Sequence, residues 1–125
     1  MLTFTVDLKS GLPAYEQVVY AVKKAVVAGV LKPGDVFPSV RKMSQELRIN
    51  PNTAHKVVVA LVEEGLLEVK PGIGTVVSAA PAATQGQRSQ LLGTEVERVV
   101  VDARKLGVGV EEMVDAIRAH WKRLK

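Results

Sequence analysis

Two helix-start signals, Pro38-Ser39 and Asn50-Pro51, lie so close together that they constrain this chain more than any other feature. Pro38 holds the backbone extended and Ser39 offers a capping hydroxyl. Asn50 is a strong N-cap, and Pro51 takes the first helical position, where its missing N–H is no loss. Between the two signals, Val40, Met43 and Leu47 form one apolar stripe, and the helix ends near Arg48. After Pro51, the residues Ala54, Val57, Val58 and Leu61 share one face. Asn52, His55, Lys56 and Val59 share the opposite one, at i, i+3, i+4 and i+7. Gly65 closes this helix. The two helices are therefore joined by a turn of a few residues, and the second keeps a polar face away from its apolar one.

The flanking segments complete a unit. Residues 2–8 alternate weakly, as a short strand or an extended arm does. Pro13 leads into a helix with Val18, Val22, Ala25 and Val26 on one face; Gly29 ends it, and Lys32-Pro33-Gly34-Asp35 is a turn. Beyond Gly65, the short runs Leu66 to Lys70 and Thr75 to Ser78 flank Pro71-Gly72-Ile73-Gly74, a glycine-rich hairpin connection. Helix, helix, helix, hairpin is the order of a winged helix-turn-helix. The expected class is α+β, mostly α. Residues 1–78 form the winged unit, 79–88 a linker poor in charge and bulk whose alanines could instead extend the next helix, and 89–125 a two-helix tail.

In the tail, Leu92, Val96, Val99, Ala103 and Leu106 recur at helical spacing, and Leu106-Gly107-Val108-Gly109 breaks the pattern. Val110, Met113, Val114, Ile117, Trp121 and Leu124 form the second stripe, with Glu111 and Glu112 in its first turn, where the helix dipole favours them. Two helices alone bury two such stripes poorly. They need the winged unit or a second copy of themselves. The candidate dimerisation residues are Leu92, Val96, Val99, Val110, Met113, Val114, Ile117 and Trp121.

Composition narrows the function classes. The chain has 125 residues, 17 Lys and Arg against 13 Asp and Glu, and a net charge of +4. The excess gathers between Lys23 and Lys56, where Lys23, Lys24, Lys32, Arg41, Lys42, Arg48 and Lys56 face only Asp35 and Glu46. Such clustering suits a polyanion, although a plain solvated surface reads the same on charge alone. Without cysteine there is no disulfide, thiolate metal site or cysteine nucleophile. Aromatics are only 4%, so the core must rest on aliphatic residues. His55 and His120 do not form a metal pair on one helix turn, and no glycine loop has the phosphate-binding Gly-Lys-Ser/Thr pattern. No enzyme, cofactor or metal is implied. The apolar runs are short of a membrane span and the N-terminus lacks a signal-peptide pattern, so a cytoplasmic protein is expected.

From Pro13 to Val77 the chain resembles the DNA-binding domain of GntR-family bacterial regulators. The matching pieces are Pro13-Ala-Tyr15-Glu-Gln17, Gly29-Val-Leu31-Lys-Pro33-Gly34, Phe37-Pro38-Ser39-Val-Arg41, Asn50-Pro51-Asn52-Thr53, Glu64-Gly65-Leu66 and Gly72-Ile-Gly74-Thr75. Six pieces in the right order over about half the chain are far more specific than one motif. The short tail together with Ile49-Asn50-Pro51-Asn52-Thr53 resembles the YtrA subfamily. That resemblance implies a dimerising tail and, for many members, control of transporter operons.

The resemblance also implies DNA contacts at Arg41, at Pro51, Asn52, Thr53 and His55, and at the wing's Gly72. Lys42, Lys56 and Lys70 are the neighbouring cations suited to phosphate. Many relatives carry Arg where this chain has Pro51 and His55. Imidazole donates a hydrogen bond but lacks the guanidinium fork, so His55 and Lys56 stand as the substitutes. The expected partners are a double-stranded operator and a second copy of the chain; no residue assigns a small-molecule effector. A sequence-tolerant nucleoid-type binder and a winged protein-interaction module are the alternative readings.

Overall fold

The computed structural model describes residues 2, 4–9, 11–79 and 84–124, which fall into two compact units, Met1–Pro81 and Ala82–Lys125. The first contains α1 (Ala14–Val27), α2 (Val40–Leu47), α3 (Pro51–Glu63), β1 (Leu67–Lys70) and β2 (Gly74–Val77). Its core takes Val18, Val22 and Ala25 from α1, Met43 from α2, and Ala54, Val57 and Leu61 from α3. Leu67 and Val77 close it from the two strands. Each helix contributes the stripe its sequence period marks out, so burial fixes how each is rotated about its axis.

Residues 4–9 form no strand, which leaves the arm of the two sequence readings. Phe4 is buried, and its ring stacks on Phe37 at a centroid distance of 5.7 Å and an interplanar angle of 10°. These are the only two phenylalanines in the chain, and both fasten this arm. The Gln17 side chain holds the arm polarly. Its Oε1 accepts from the Lys9 N–H at 2.6 Å, while its Nε2 donates to the Lys9 and Leu12 carbonyls at 3.1 and 3.0 Å.

β1 and β2 pair antiparallel, with Leu67 opposite Val77 and Lys70 opposite Gly74. The sequence marks residues 32–35 as a turn and gives no strand signal beyond it. The structure adds an isolated bridge between Val36 and Val76, with the Phe37 N–H donating to the Thr75 carbonyl at 2.8 Å. The Val77 N–H donates to the Asp35 carbonyl at 2.9 Å. A segment too short to show alternation thus acts as a third strand along β2.

Glycine terminates α3 by geometry. Gly65 has φ 80°, the Leu66 N–H reaches the Leu61 carbonyl at 2.9 Å and the Gly65 N–H reaches Val62 at 3.0 Å. That paired pattern satisfies the last carbonyls and turns the chain into β1.

The second unit starts earlier than the expected boundary of 89. Thr84 caps α4 (Gln85–Ser89): its Oγ1 accepts from the Gln87 N–H at 3.1 Å, and the Gln87 Oε1 accepts from the Thr84 N–H at 2.9 Å. Reciprocal capping converts the latter half of the expected 79–88 linker into helix. The helix continues through a wide π-type stretch, Gln90–Glu95, into α5 (Val96–Lys105), and α6 (Val110–Arg123) follows. Gly93 lies inside the wide stretch, where its low helix propensity favours a departure from regular α geometry. Among the described residues, no helix is long and apolar enough to cross a membrane.

Gly65→Ala forces a Cβ into a left-handed backbone conformation. It is expected to cost about 1–2 kcal/mol of unfolding free energy, read as a lower urea midpoint at unchanged slope.

Candidate nucleic-acid interface

The interface is built around α3. Asn50 is extended, at φ −60° and ψ 134°, and its Oδ1 accepts from the Asn52 N–H at 2.8 Å. With the cap supplied by Asn50, the Asn52 side chain is not needed to satisfy the helix end, and it is exposed. Pro51, His55 and Lys56 are exposed as well, while Thr53 is half-buried between the two faces. One turn of helix therefore presents an amide, an imidazole and an ammonium on the side away from Ala54, Val57 and Leu61.

α2 adds the second cationic element. Ser39 caps it, with its Oγ accepting from the Lys42 N–H at 3.1 Å, so Arg41 and Lys42 stand exposed in the first turn. Ser44 is buried and satisfies its hydroxyl by donating to the Arg41 carbonyl at 2.9 Å. Between α2 and α3, Arg48 adopts φ 54° and ψ 49°. It is the one non-glycine residue with positive φ among the described residues, and it makes the tight turn.

Charge along α3 is polarised. The N-terminal half carries Lys56, and the partial positive charge of the helix end adds to it. The C-terminal end carries Glu63 and Glu64, and Glu64 is held by Lys23 at 2.7 Å. Positive potential therefore gathers at the N-terminal half of the helix. Lys23, basic in the sequence count, is engaged with Glu64 instead.

Lys70 and Gly72 lie at the end of the β1–β2 hairpin. Gly72 has φ 79° and Gly74 φ 112°, and a Cβ built on either would meet nothing within 4 Å. Lys70 is less free than its sequence suggests: its Nζ lies 3.8 Å from the Glu68 carboxylate, two residues along the same strand. The sequence reading assigned no role to Tyr15. The structure places it in a shallow hollow of about 270 Å³ with His55, Lys56, Val59, Ala60 and Glu63. Its signal was an aromatic in the first turn of α1, which sequence spacing alone could not connect to α3.

The tail residues form a separate surface. Leu92, Val96, Val99, Val110, Ile117 and Trp121 are all exposed, Trp121 by 75%, while Met113 and Val114 are half-buried and Ala103 is buried. Val96, Val99, Val110, Met113, Val114 and Ile117 line an open-sided hollow of about 770 Å³. Among the described residues, no group of His, Cys, Asp or Glu is arranged to hold a metal ion.

Residues 14–77 match the family model described as bacterial regulatory proteins, gntR family. The chain belongs to the GntR family. It is 32% identical over 115 residues to the HTH-type transcriptional repressor YtrA of Bacillus subtilis (strain 168), covering 90% of this chain and 88% of that one. The similarity runs through the tail and agrees with the YtrA subfamily read from the sequence. A transcriptional antiterminator from Listeria monocytogenes EGD-e has a crystal structure with TM-score 0.86 and 28% identity, over 97% of this chain and 91% of that one. The AraR DNA-binding domain, solved in complex with operator ORE1, gives a TM-score of 0.51 at 29% identity, over 62% of this chain and 98% of that one. The GntR assignment makes this chain a regulator and not an enzyme, and the helix-helix-helix-hairpin order is the winged helix-turn-helix of that family.

Asn50→Ala removes the α3 cap. It is expected to cost about 1 kcal/mol of stability and to speed amide hydrogen exchange at Asn52 while leaving Leu61 protected. Equal exchange at Asn52 in both proteins would contradict the capping role.

Proposed function

We propose that this GntR-family regulator represses transcription as a homodimer bound to a two-fold operator. The observation that carries this reading is the exposed face of Asn52, His55 and Lys56 on a helix whose other side is anchored in the core. An α-helix fits the major groove, where each base pair shows a distinct donor and acceptor pattern. Residues near the start of the reading helix come closest to the base edges. Asn52 offers an amide suited to bidentate contact with adenine, and His55 a donor for a purine acceptor. Arg41, Lys42 and Lys56 supply sequence-independent attraction to phosphate. Gly72 gives the wing a tip slim enough to approach the backbone or the minor groove.

The apolar faces of α5 and α6 support the dimer. Exposed aliphatic and aromatic side chains on both helices form a surface that water covers poorly, and a second copy of the same tail offers matching chemistry. Two reading units held by such a tail would address half-sites about one helical turn or more apart. A regulator of gene expression would act in the cytoplasm, and the YtrA-like build extends the proposal to transporter genes as the regulated set.

The test is a mobility shift on duplex from upstream of the protein's own gene. Specific retardation should survive a large excess of random duplex, and Arg41→Ala and His55→Ala should each weaken it about tenfold or more. Equal competition by random duplex would instead establish the nucleoid-type reading. For the dimer, Val99→Asp combined with Ile117→Asp should give a monomer in analytical ultracentrifugation and cut operator affinity steeply. A variant that sediments as the wild type does would remove the tail from the assembly.

A further inference from the structure

The wing tip carries an apolar side chain where a phosphate-seeking wing would place a cation. Ile73 is 61% exposed, and its N–H donates to the Lys70 carbonyl at 3.1 Å, closing the turn at the end of the hairpin. On either side, Gly72 and Gly74 have positive φ and open space where a Cβ would stand, so the isoleucine is flanked by bare backbone. Val69 adds to the same end. It lies on the sheet face of Leu67, which is buried, yet Val69 itself is 65% exposed because the hairpin has by then outrun the core. Lys70, three residues before Ile73, has the Glu68 carboxylate at 3.8 Å. None of this bulk serves the fold: neither residue belongs to the core cluster.

We propose that Ile73 is an apolar wedge, which enters the minor groove beside the bases read by α3 and favours a deformable step there. The proposal rests on the operator reading above and names a specificity determinant within it. The minor groove is about 6 Å wide, narrow enough that only a slim projection enters it. Glycines on both sides give the hairpin that slimness, and an aliphatic side chain can partly unstack a base step that a cation would only approach. Pyrimidine–purine steps such as TA resist unstacking least, so the wedge prefers them at a position where it makes no base-edge hydrogen bond. Val69 then packs along the groove wall behind the wedge.

The experiment selects duplexes with the wild-type protein from a pool randomised over the operator and its flanks. It then compares the selected duplex with versions that replace any TA or CA step under the wing by AA. The wild type should discriminate by about tenfold and bend the selected duplex in a phasing assay. Ile73→Ala should retain less than about twofold discrimination, bend less and melt at the wild-type temperature; Ile73→Leu should keep the preference. Should Ile73→Ala keep both preference and bend while Arg41→Ala weakens binding, the wedge is overturned and the operator reading stands. Selection of no consensus by the wild type would overturn both.

Discussion

The burial of Ala54, Val57 and Leu61 sets the rotation of α3 about its own axis, and what the protein presents to a duplex follows from that rotation. A helix places residues three and four apart on one side, so fixing the apolar side fixes the opposite one. Asn52, His55 and Lys56 are exposed because their neighbours are anchored. The two ends are pinned as firmly as the middle. Asn50 and Pro51 define where the first turn begins, and Gly65 defines where the last one stops. Between these points the helix has little freedom to slide, which a reading helix requires if its contacts are to fall on particular base pairs.

Much of this was legible in the sequence, for identifiable reasons. Caps and glycine stops are local: Ser39, Asn50, Gly29 and Gly65 act on atoms within a few residues of themselves, and each ends or begins an element as read. The helix stripes were legible because an apolar period of 3.6 residues is long enough to recognise over three turns. What escaped was non-local or too short. The pairing of residues 34–37 with β2 involves four residues and no alternation. The approach of Tyr15 to His55 depends on how α1 crosses α3. The weak ion pair at Lys70 depends on side-chain reach rather than on spacing.

The tail shows a second kind of illegibility. Thr84 and Gln87 are a recognisable capping pair, but they sit in an uncharged Ala-, Thr- and Gln-containing stretch that composition marks as a linker. Four of the residues just before it, 80–83, lie outside those the structure describes. The wide stretch around Gly93 changes the phase of the helix, so the apolar positions before and after it do not continue as one straight stripe. A pattern search that assumes a single period finds Leu92 and Val96 without learning that the backbone between them is irregular.

The left-handed turn at Arg48 bears on how the sequence balances durability against use. A side chain with a Cβ is disfavoured in that conformation by roughly 1–2 kcal/mol relative to the right-handed one, whereas glycine accepts it freely. Glycine occupies the comparable exits of α1, α3 and α5, at Gly29, Gly65 and Gly107. At the exit of α2 the chain instead keeps a guanidinium on the surface beside the start of α3. The turn is therefore a place where the protein tolerates local backbone strain in order to retain a cation. An engineer seeking heat resistance would be drawn to it first, exchanging a surface guanidinium for an unstrained turn.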